Sequence, residues 1–259
     1  AGVLSGRIAG FTPNFCDMDG DIYPEILLAS DLCLSRYLIN DGDGTFTEFT
    51  NGSNTGKGCS EMGAAVGDVN GDGHFDWYVS QVWSATNPNW TGNHLYLNNG
   101  VGDHTYTVIQ DELGPLDFGG WGWGTMIVDF NHDERQDIIE VNGFDGFNYV
   151  GEQAYLWVQA PNGTFVEVSA NAFFNYGSDG RGVALFDYDN DVDMDFIIAN
   201  HDEPATLWRN DMLDPIDETD SEGYALRIFL DTTNDPGLAP MGIGSRVIVQ
   251  TATATQHFY

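Results

Sequence analysis

Apolar residues fall in short runs bounded by Gly, Asn and Asp, and no long stretch carries them at helical spacing. The runs "EILLAS", "DWYVSQ", "DIIEVN" and "DFIIAN" each follow directly on a segment crowded with acids. A second apolar run ending in an amide comes next: "SRYLIND", "NHLYLNN", "EQAYLWVQ" and "ATLWRND". Glycine and small residues precede the acids, as in "EMGAAVGD", "GGWGWGTMIVD" and "GRGVALFD", and a Gly-Thr-Phe turn closes the first and third units. Each period therefore holds about four short strands, which predicts an all-β chain built as a β-propeller of four-stranded blades.

The acidic segments keep a strict internal spacing. Their first residues, Asp17, Asp68, Asp129 and Asp187, are 51, 61 and 58 residues apart. Oxygen-bearing side chains stand at positions 1, 3, 5 and 9 of every unit: Asp17, Asp19, Asp21 and Glu25; Asp68, Asn70, Asp72 and Asp76; Asp129, Asn131, Asp133 and Asp137; Asp187, Asp189, Asp191 and Asp195. Such groups repel one another unless a cation sits among them. Ca2+ takes six to eight oxygens at about 2.3–2.6 Å. The loops 17–25, 68–76, 129–137 and 187–195 offer that shell, with a backbone carbonyl from position 7 (Tyr23, His74, Arg135 and Asp193) as a further ligand. About four structural calcium ions are expected. Gly20, Gly71 and Gly73 stand where the loop must turn sharply, and Asn190 tolerates the same left-handed backbone.

An EF-hand needs flanking helices and a bidentate Glu at position 12, where three of these loops have Leu28, Val79 and Ile198. The third has Glu140 there, inside a strand-like run. Magnesium suits so flexible a carboxylate shell poorly. In the third loop, "DFNHDERQD", His132, Glu134 and Arg135 replace small residues, and this loop is expected to bind most weakly.

Charge narrows the partners. The 259 residues carry 40 acids against 8 Lys plus Arg, a formal net charge of −32, so no basic face exists for nucleic acid. Aromatic content of 13% and the regular apolar runs argue for a folded chain despite that charge. No stretch is long and apolar enough to insert in a membrane. Cys16, Cys33 and Cys59 allow one disulfide and one leftover thiol, with the pairing open. Asn51, Asn89 and Asn162 open glycosylation sequons, and the chain begins at Ala1, as a processed or partial chain would.

With loops, period and amide-ended strand together, the chain resembles the FG-GAP/VCBS repeats of integrin-α-type propellers, and within them the cartilage acidic protein group. In that group the propeller leads into an ASPIC/UnbV module with a Gly-Ile-Gly-Ala-Arg-Val-like motif. Residues Gly242, Ile243, Gly244, Ser245, Arg246 and Val247 supply that pattern. The resemblance implies a propeller over 1–212 and an ASPIC/UnbV-like segment over 213–259, truncated at Tyr259, with the acids of 214–222 as a linker. Relatives close about seven blades where four repeats stand here. An open propeller leaves strand edges that seek partners, so self-association is an expectation.

The resemblance also places the calcium loops on one face and the remaining loops on the other. Those loops hold Trp83, Trp90, Phe144, Phe147 and Tyr149, suited to an extracellular protein or glycan. Trp121 and Trp123 are expected between blades. The functional expectation is a secreted or cell-surface, non-catalytic adhesion or recognition module. The alternatives are a self-assembling subunit of an extracellular polymer or matrix, and a calcium-dependent carbohydrate-active lyase using His132 or His201. No nucleophile–base pairing supports the last.

Overall fold

The computed structural model describes residues 8–109, 116–146, 149, 151–172, 174, 176–211, 228–231, 245–251 and 255–258. Blade 1 comprises β1 (Ala9–Cys16), β2 (Glu25–Asp31), β3 (Arg36–Asn40) and β4 (Phe46–Glu48). A one-turn helix, α1 (Thr50–Ser53), follows it. Blade 2 comprises β5 (Glu61–Gly67), β6 (Asp76–Gln81), β7 (His94–Asn98) and β8 (Tyr106–Ile109). Blade 3 comprises β9 (Gly122–Val128), β10 (Asp137–Asn142), β11 (Tyr155–Gln159) and β12 (Phe165–Glu167). Blade 4 has three described strands, β13 (Gly180–Phe186), β14 (Asp195–Asn200) and β15 (Thr206–Trp208). Every blade is an antiparallel meander in sequence order.

The first strands, β1, β5, β9 and β13, pack side by side in that order as the inner wall. Their glycine content has a steric cause. A Cβ on Gly63 would stand 1.8 Å from the Trp123 carbonyl oxygen, and one on Gly124 2.8 Å from the Val183 nitrogen. Each first strand also carries a register shift near its start, at Gly10/Thr12, at Glu61/Ala64, opposite Glu140/Asn142 of the partner strand, and at Gly180/Gly182. Bulges of this kind sharpen local twist and bend the strand.

Period-2 alternation gives the blade sheets two apolar faces, and among the described residues three cores result. Leu27, Ala29 and Tyr37 of blade 1 meet Trp77, Val79 and Tyr96 of blade 2. Tyr78 and Leu95 on the other face of blade 2 meet Ile138 and Trp157 of blade 3. Ile139, Val141 and Leu156 then meet Phe196 and Ile198 of blade 4. Burying such side chains contributes roughly 1.5–3 kcal/mol each, so the blade interfaces hold the arrangement together.

Among the described residues β1 and β13 do not pack on one another as neighbouring inner strands do, so the four blades form an open arc. The surfaces left bare at its ends are sheet faces rather than the strand edges expected from sequence. Trp123 points into the middle of the arc. Its ring lies 5.7 Å from that of Phe11 in blade 1 and 4.4 Å from the Arg181 guanidinium of blade 4.

Beyond the blades, β16 (Val247–Gln250) and β17 (Thr255–Phe258) form a hairpin. Gly242, Ile243, Gly244 and the proposed boundary near 213 lie outside the described residues. Arg246, just before β16, donates to the Gly73 carbonyl and lies 5.6 Å from the Phe75 ring, so the hairpin sits over the second acidic loop. Cys33 and Cys59 form a disulfide that ties the β2–β3 turn to the segment entering blade 2, and Cys16 is a buried free thiol.

Candidate metal centres

Each acidic loop joins the first two strands of its blade, and all four share one hydrogen-bond frame. The position-1 carboxylate pulls the loop around itself. Asp17 accepts from the N–H groups of Gly20, Asp21 and Ile22 at 2.8–3.1 Å. Asp68 accepts from Asp72 and Gly73, Asp129 from Asp133 and Glu134, and Asp187 from Asn190 and Val192. The position-5 carboxylates Asp21, Asp72, Asp133 and Asp191 accept from the N–H of position 7 at 2.8–3.0 Å.

Two residues per loop adopt left-handed backbone. At position 4 these are Gly20, Gly71, His132 and Asn190; at position 6 they are Ile22, Gly73, Glu134 and Val192, with φ between 57° and 88°. Gly20, Gly71, Gly73 and Asn190 conform to the sequence reading. Ile22 and Val192 do not, because β-branched residues rarely adopt this conformation. The position-1 carboxylate, holding their N–H groups at 3.1 and 3.2 Å, supports them there.

Position 9 closes the loop from the strand side. Glu25, Asp76, Asp137 and Asp195 are fully buried. Each accepts from the N–H of position 2 and from that of the strand-ending amide, Asn40, Asn98, Gln159 or Asn210. Burial pushes the Glu25 and Asp137 carboxyls up to about 7 and Asp76 to about 8, against the pull of those hydrogen bonds. Asp19, Asp68 and Asp129 are raised for the same reason.

The donor set fits a hard cation. In loops 1 and 4, carboxylate oxygens of Asp17, Asp19 and Glu25, and of Asp187, Asp189 and Asp195, lie within 4.8 Å of one another. Two oxygens on one calcium ion can stand at most about 5 Å apart. Loops 2 and 3 have Asn70 and Asn131 at position 3, each donating to the position-5 carboxylate at 2.8 and 2.9 Å. The backbone carbonyls of Tyr23, His74, Arg135 and Asp193 remain the position-7 candidates.

Loop 3 already holds a cation of its own. The Arg135 guanidinium is paired with Asp133 and donates to the Gln159 carbonyl at 2.8 Å. His132 lies 2.8 Å from Asp193, joining loop 3 to the buried acid of loop 4. His104 stands 3.3 Å from Asp19, and His257 3.9 Å from Asp68.

The strand-ending amides have a role that their sequence positions alone did not show. Asn98 donates to the Met18 carbonyl at 2.7 Å, Gln159 to that of Val69 at 2.9 Å, and Asn210 to that of Phe130 at 2.9 Å. Each acceptor is position 2 of the preceding blade's loop. Blades 2, 3 and 4 are thus each stitched to the acidic loop of the blade before.

At the opposite end of the blades the aromatic loops gather. Trp121 stacks on Phe144 at 4.1 Å and 8°, with Trp90 and Tyr149 edge-on at 5.6 and 5.1 Å. Trp83 lies 5.1 Å from Phe118, and its carbonyl accepts from the Tyr149 hydroxyl at 2.9 Å. Trp83, Trp90, Phe144 and Tyr149 are half-buried in this cluster, Phe118 is exposed, and Phe147 lies outside the described residues. Trp121 joins loops of blades 2 and 3, as expected, whereas Trp123 fills the centre of the arc. Sequence spacing gave no signal for a further group at this end, where His201 lies 3.2 Å from Asp145 and 3.5 Å from Asp179. Asp179 is itself paired with Arg181. The sequon residues Asn51, Asn89 and Asn162 are all exposed. Among the described residues no helix is long and apolar enough to cross a membrane.

No curated protein matches the chain. Solved structures similar to it include an Agrocybe aegerita lectin that recognises non-reducing terminal N-acetylglucosamine, with a TM-score of 0.42 and 20% identity over 80% of this chain and 54% of the lectin. Another is the V. cholerae biofilm matrix protein Bap1, with a TM-score of 0.37 and 14% identity over 92% of this chain and 33% of that one. The chain thus spans about half of the first and a third of the second. Residues 17–79, from the first acidic loop into β6, match the FG-GAP-like repeat.

Proposed function

We propose that this chain is a secreted or cell-surface calcium-binding propeller segment acting as a non-catalytic adhesion or recognition module. The observation that carries the reading is the repeated loop frame, in which four buried position-9 carboxylates sit beside further oxygen donors with too few basic groups to neutralise them. Calcium would lie among positions 1, 3, 5 and 9 and supply the missing positive charge. Binding energy then becomes folding energy, since the unfolded chain does not assemble these oxygens. The Cys33–Cys59 disulfide supports an oxidising, extracellular setting. Extracellular sites of this kind bind in the range of about 0.1–1 mM, so they fill outside cells.

The recognition surface in this reading is the aromatic end, where Trp83, Trp90, Phe144 and Tyr149 present half-buried rings beside polar loops to an extracellular protein or glycan. The cartilage acidic protein group and an ASPIC/UnbV-like C-terminal segment belong to the same proposal. Two experiments test it. Calorimetric titration of EGTA-treated protein should give calcium heats that magnesium does not reproduce, and flat calcium titrations at millimolar concentration would refute the metal reading. Binding to arrays of glycans and extracellular proteins should be lost in Trp90→Ala and retained in Val101→Ser at the other end; a polysaccharide eliminase activity would replace recognition with catalysis.

A further inference from the structure

The blade interfaces follow one rule, and it leaves both ends of the arc unfinished. Position 11 of each unit faces the next blade, and positions 10 and 12 face the previous one. Leu27, Tyr78 and Ile139 occupy position 11 in blades 1 to 3 and are all fully buried. Their counterpart in blade 4, Ile197, is 37% exposed. It pairs across the sheet with Ala184 and Leu207, so these residues share one face, and Leu207 is 45% exposed. Phe186, two residues from Ala184 and on the same face, is also exposed. At the other end, Ile26 and Leu28 occupy the positions that in blade 2 hold the fully buried Trp77 and Val79. Ile26 and Leu28 are only partly covered, and Phe15, paired with Ile26, is 59% exposed.

The amide stitch is unfinished at the same places. Asn98 donates both to its own blade, at the Phe75 carbonyl, and to the preceding loop, at the Met18 carbonyl. Asn40, its counterpart in blade 1, makes the own-blade bond to the Pro24 carbonyl at 3.0 Å, and no described loop precedes it. The acceptor that the pattern assigns to a fifth position is the carbonyl of Tyr188, position 2 of the fourth loop.

We propose that the outer face of blade 4 in one copy of this chain binds the outer face of blade 1 in a second copy, continuing the blade-to-blade interface from molecule to molecule. Ile197, Leu207 and Phe186 of one copy pack on Phe15, Ile26 and Leu28 of the next, and Asn40 of the next copy donates to the Tyr188 carbonyl. The contact is heterologous, because the two surfaces differ. The described residues of two copies supply eight blades, within the number that propeller rings hold, so mutual docking closes both ends at once. Both copies are strongly acidic, so their association tightens as salt screens the repulsion.

Sedimentation velocity of the whole chain over about 1–100 μM in low and high salt tests this arrangement. The expected result is a shift from the 28.4 kDa monomer to a species of twice that mass, favoured by high salt. Ile197→Asp combined with Leu207→Asp should remain monomeric while keeping its circular dichroism spectrum, because both side chains already face solvent. Mixing Phe15→Cys chains with Ile197→Cys chains should give a cross-linked heterodimer under mild oxidation. A monomer at every concentration and salt would overturn the proposal and mark both faces as seats for further blades of a longer chain. Cross-linking only between two Phe15→Cys chains, or dimers unaffected by the Asp substitutions, would overturn it in favour of a different contact.

Discussion

Loops 1 and 3 share a backbone and differ in what stands among their carboxylates. Both wrap N–H groups around a position-1 aspartate, both hold positions 4 and 6 left-handed, and both bury the position-9 acid completely. In loop 1 three carboxylates converge within 4.8 Å, with His104 at the margin as the nearest basic side chain. In loop 3 the Arg135 guanidinium sits on Asp133, and position 3 is an amide. The hydrogen-bond frame and the demand for a cation are therefore separable. Loop 3 keeps the frame and meets part of the demand from its own chain.

The largest test of this contrast is calcium removal. At calcium ten times above the dissociation constant, each filled site stabilises the fold by about 1.4 kcal/mol, so three strong loops contribute about 4 kcal/mol together. Melting in millimolar calcium and in EGTA should differ accordingly, with about three ions bound tightly and the fourth weakly. Equal melting curves would mean that all four frames are hydrogen-bonded turns.

Single substitutions place the contrast on residues. Asp17→Ala removes a proposed ion ligand and the acceptor of three N–H groups, and should cost about 2–4 kcal/mol in calcium and about 1–2 kcal/mol in EGTA. Asp129→Ala should cost nearly the same in either condition, at about 1–2 kcal/mol. Urea midpoints of both variants with and without calcium are the measurement. Equal calcium dependence of the two losses would erase the distinction between the loops.

A buried acid outside the loops gives the control. Burial raises Glu61 to about 7 and lowers the neighbouring His94 to about 4, so both favour their neutral forms. Because the folded value of Glu61 lies above its unfolded value near 4.5, the stability tied to its protonated form is complete below that pH. It is lost as pH rises through about 7, at up to about 1.4 kcal/mol per unit. In calcium-free urea midpoints at pH 5 and 7, Glu61→Gln should remove this component from the total slope. Glu25, Asp76 and Asp137 add to that slope with the same sign, and His94, held below its ordinary value, with the opposite one. A slope unchanged in that variant would move its origin to the loops.

The smallest effect is expected at Arg135. Replacing it with Ala frees Asp133 for calcium and should tighten the weakest site several-fold, while calcium-free stability falls by about 0.5–1 kcal/mol. Calorimetric titration continued after the three strong loops are filled reads that site. An unchanged weak site would show that the amide at position 3, rather than the guanidinium, limits it.

Much of this architecture is legible in the sequence because repetition fixes phase. Four aspartates in register locate the loops, and the runs after them locate β2, β6, β10 and β14 with alternation intact. Ile22 and Val192 were not legible as turn residues, because local preference opposes left-handed backbone there and only the Asp17 and Asp187 carboxylates offset it. The pairing of Arg135 with Asp133 was half visible as an intrusion at position 7. The contact of His132 with Asp193 joins residues 61 apart and has no local signature. Likewise the bare faces around Ile197 and Phe15 follow from which blades are neighbours, which residue patterns within a blade do not encode.

The amide stitch bears on how such a chain grows by duplication. Its donor lies at or just past the end of the third strand of one blade and its acceptor on the loop of the blade before, so a single copied period carries one half of each of two stitches. Any period inserted in phase therefore finds an acceptor behind it and offers one ahead. Blade number can then change by whole units without a new kind of stitch, provided that each unit keeps the carbonyl after its first aspartate, the amide at the end of its third strand, and the two apolar faces that form the cores.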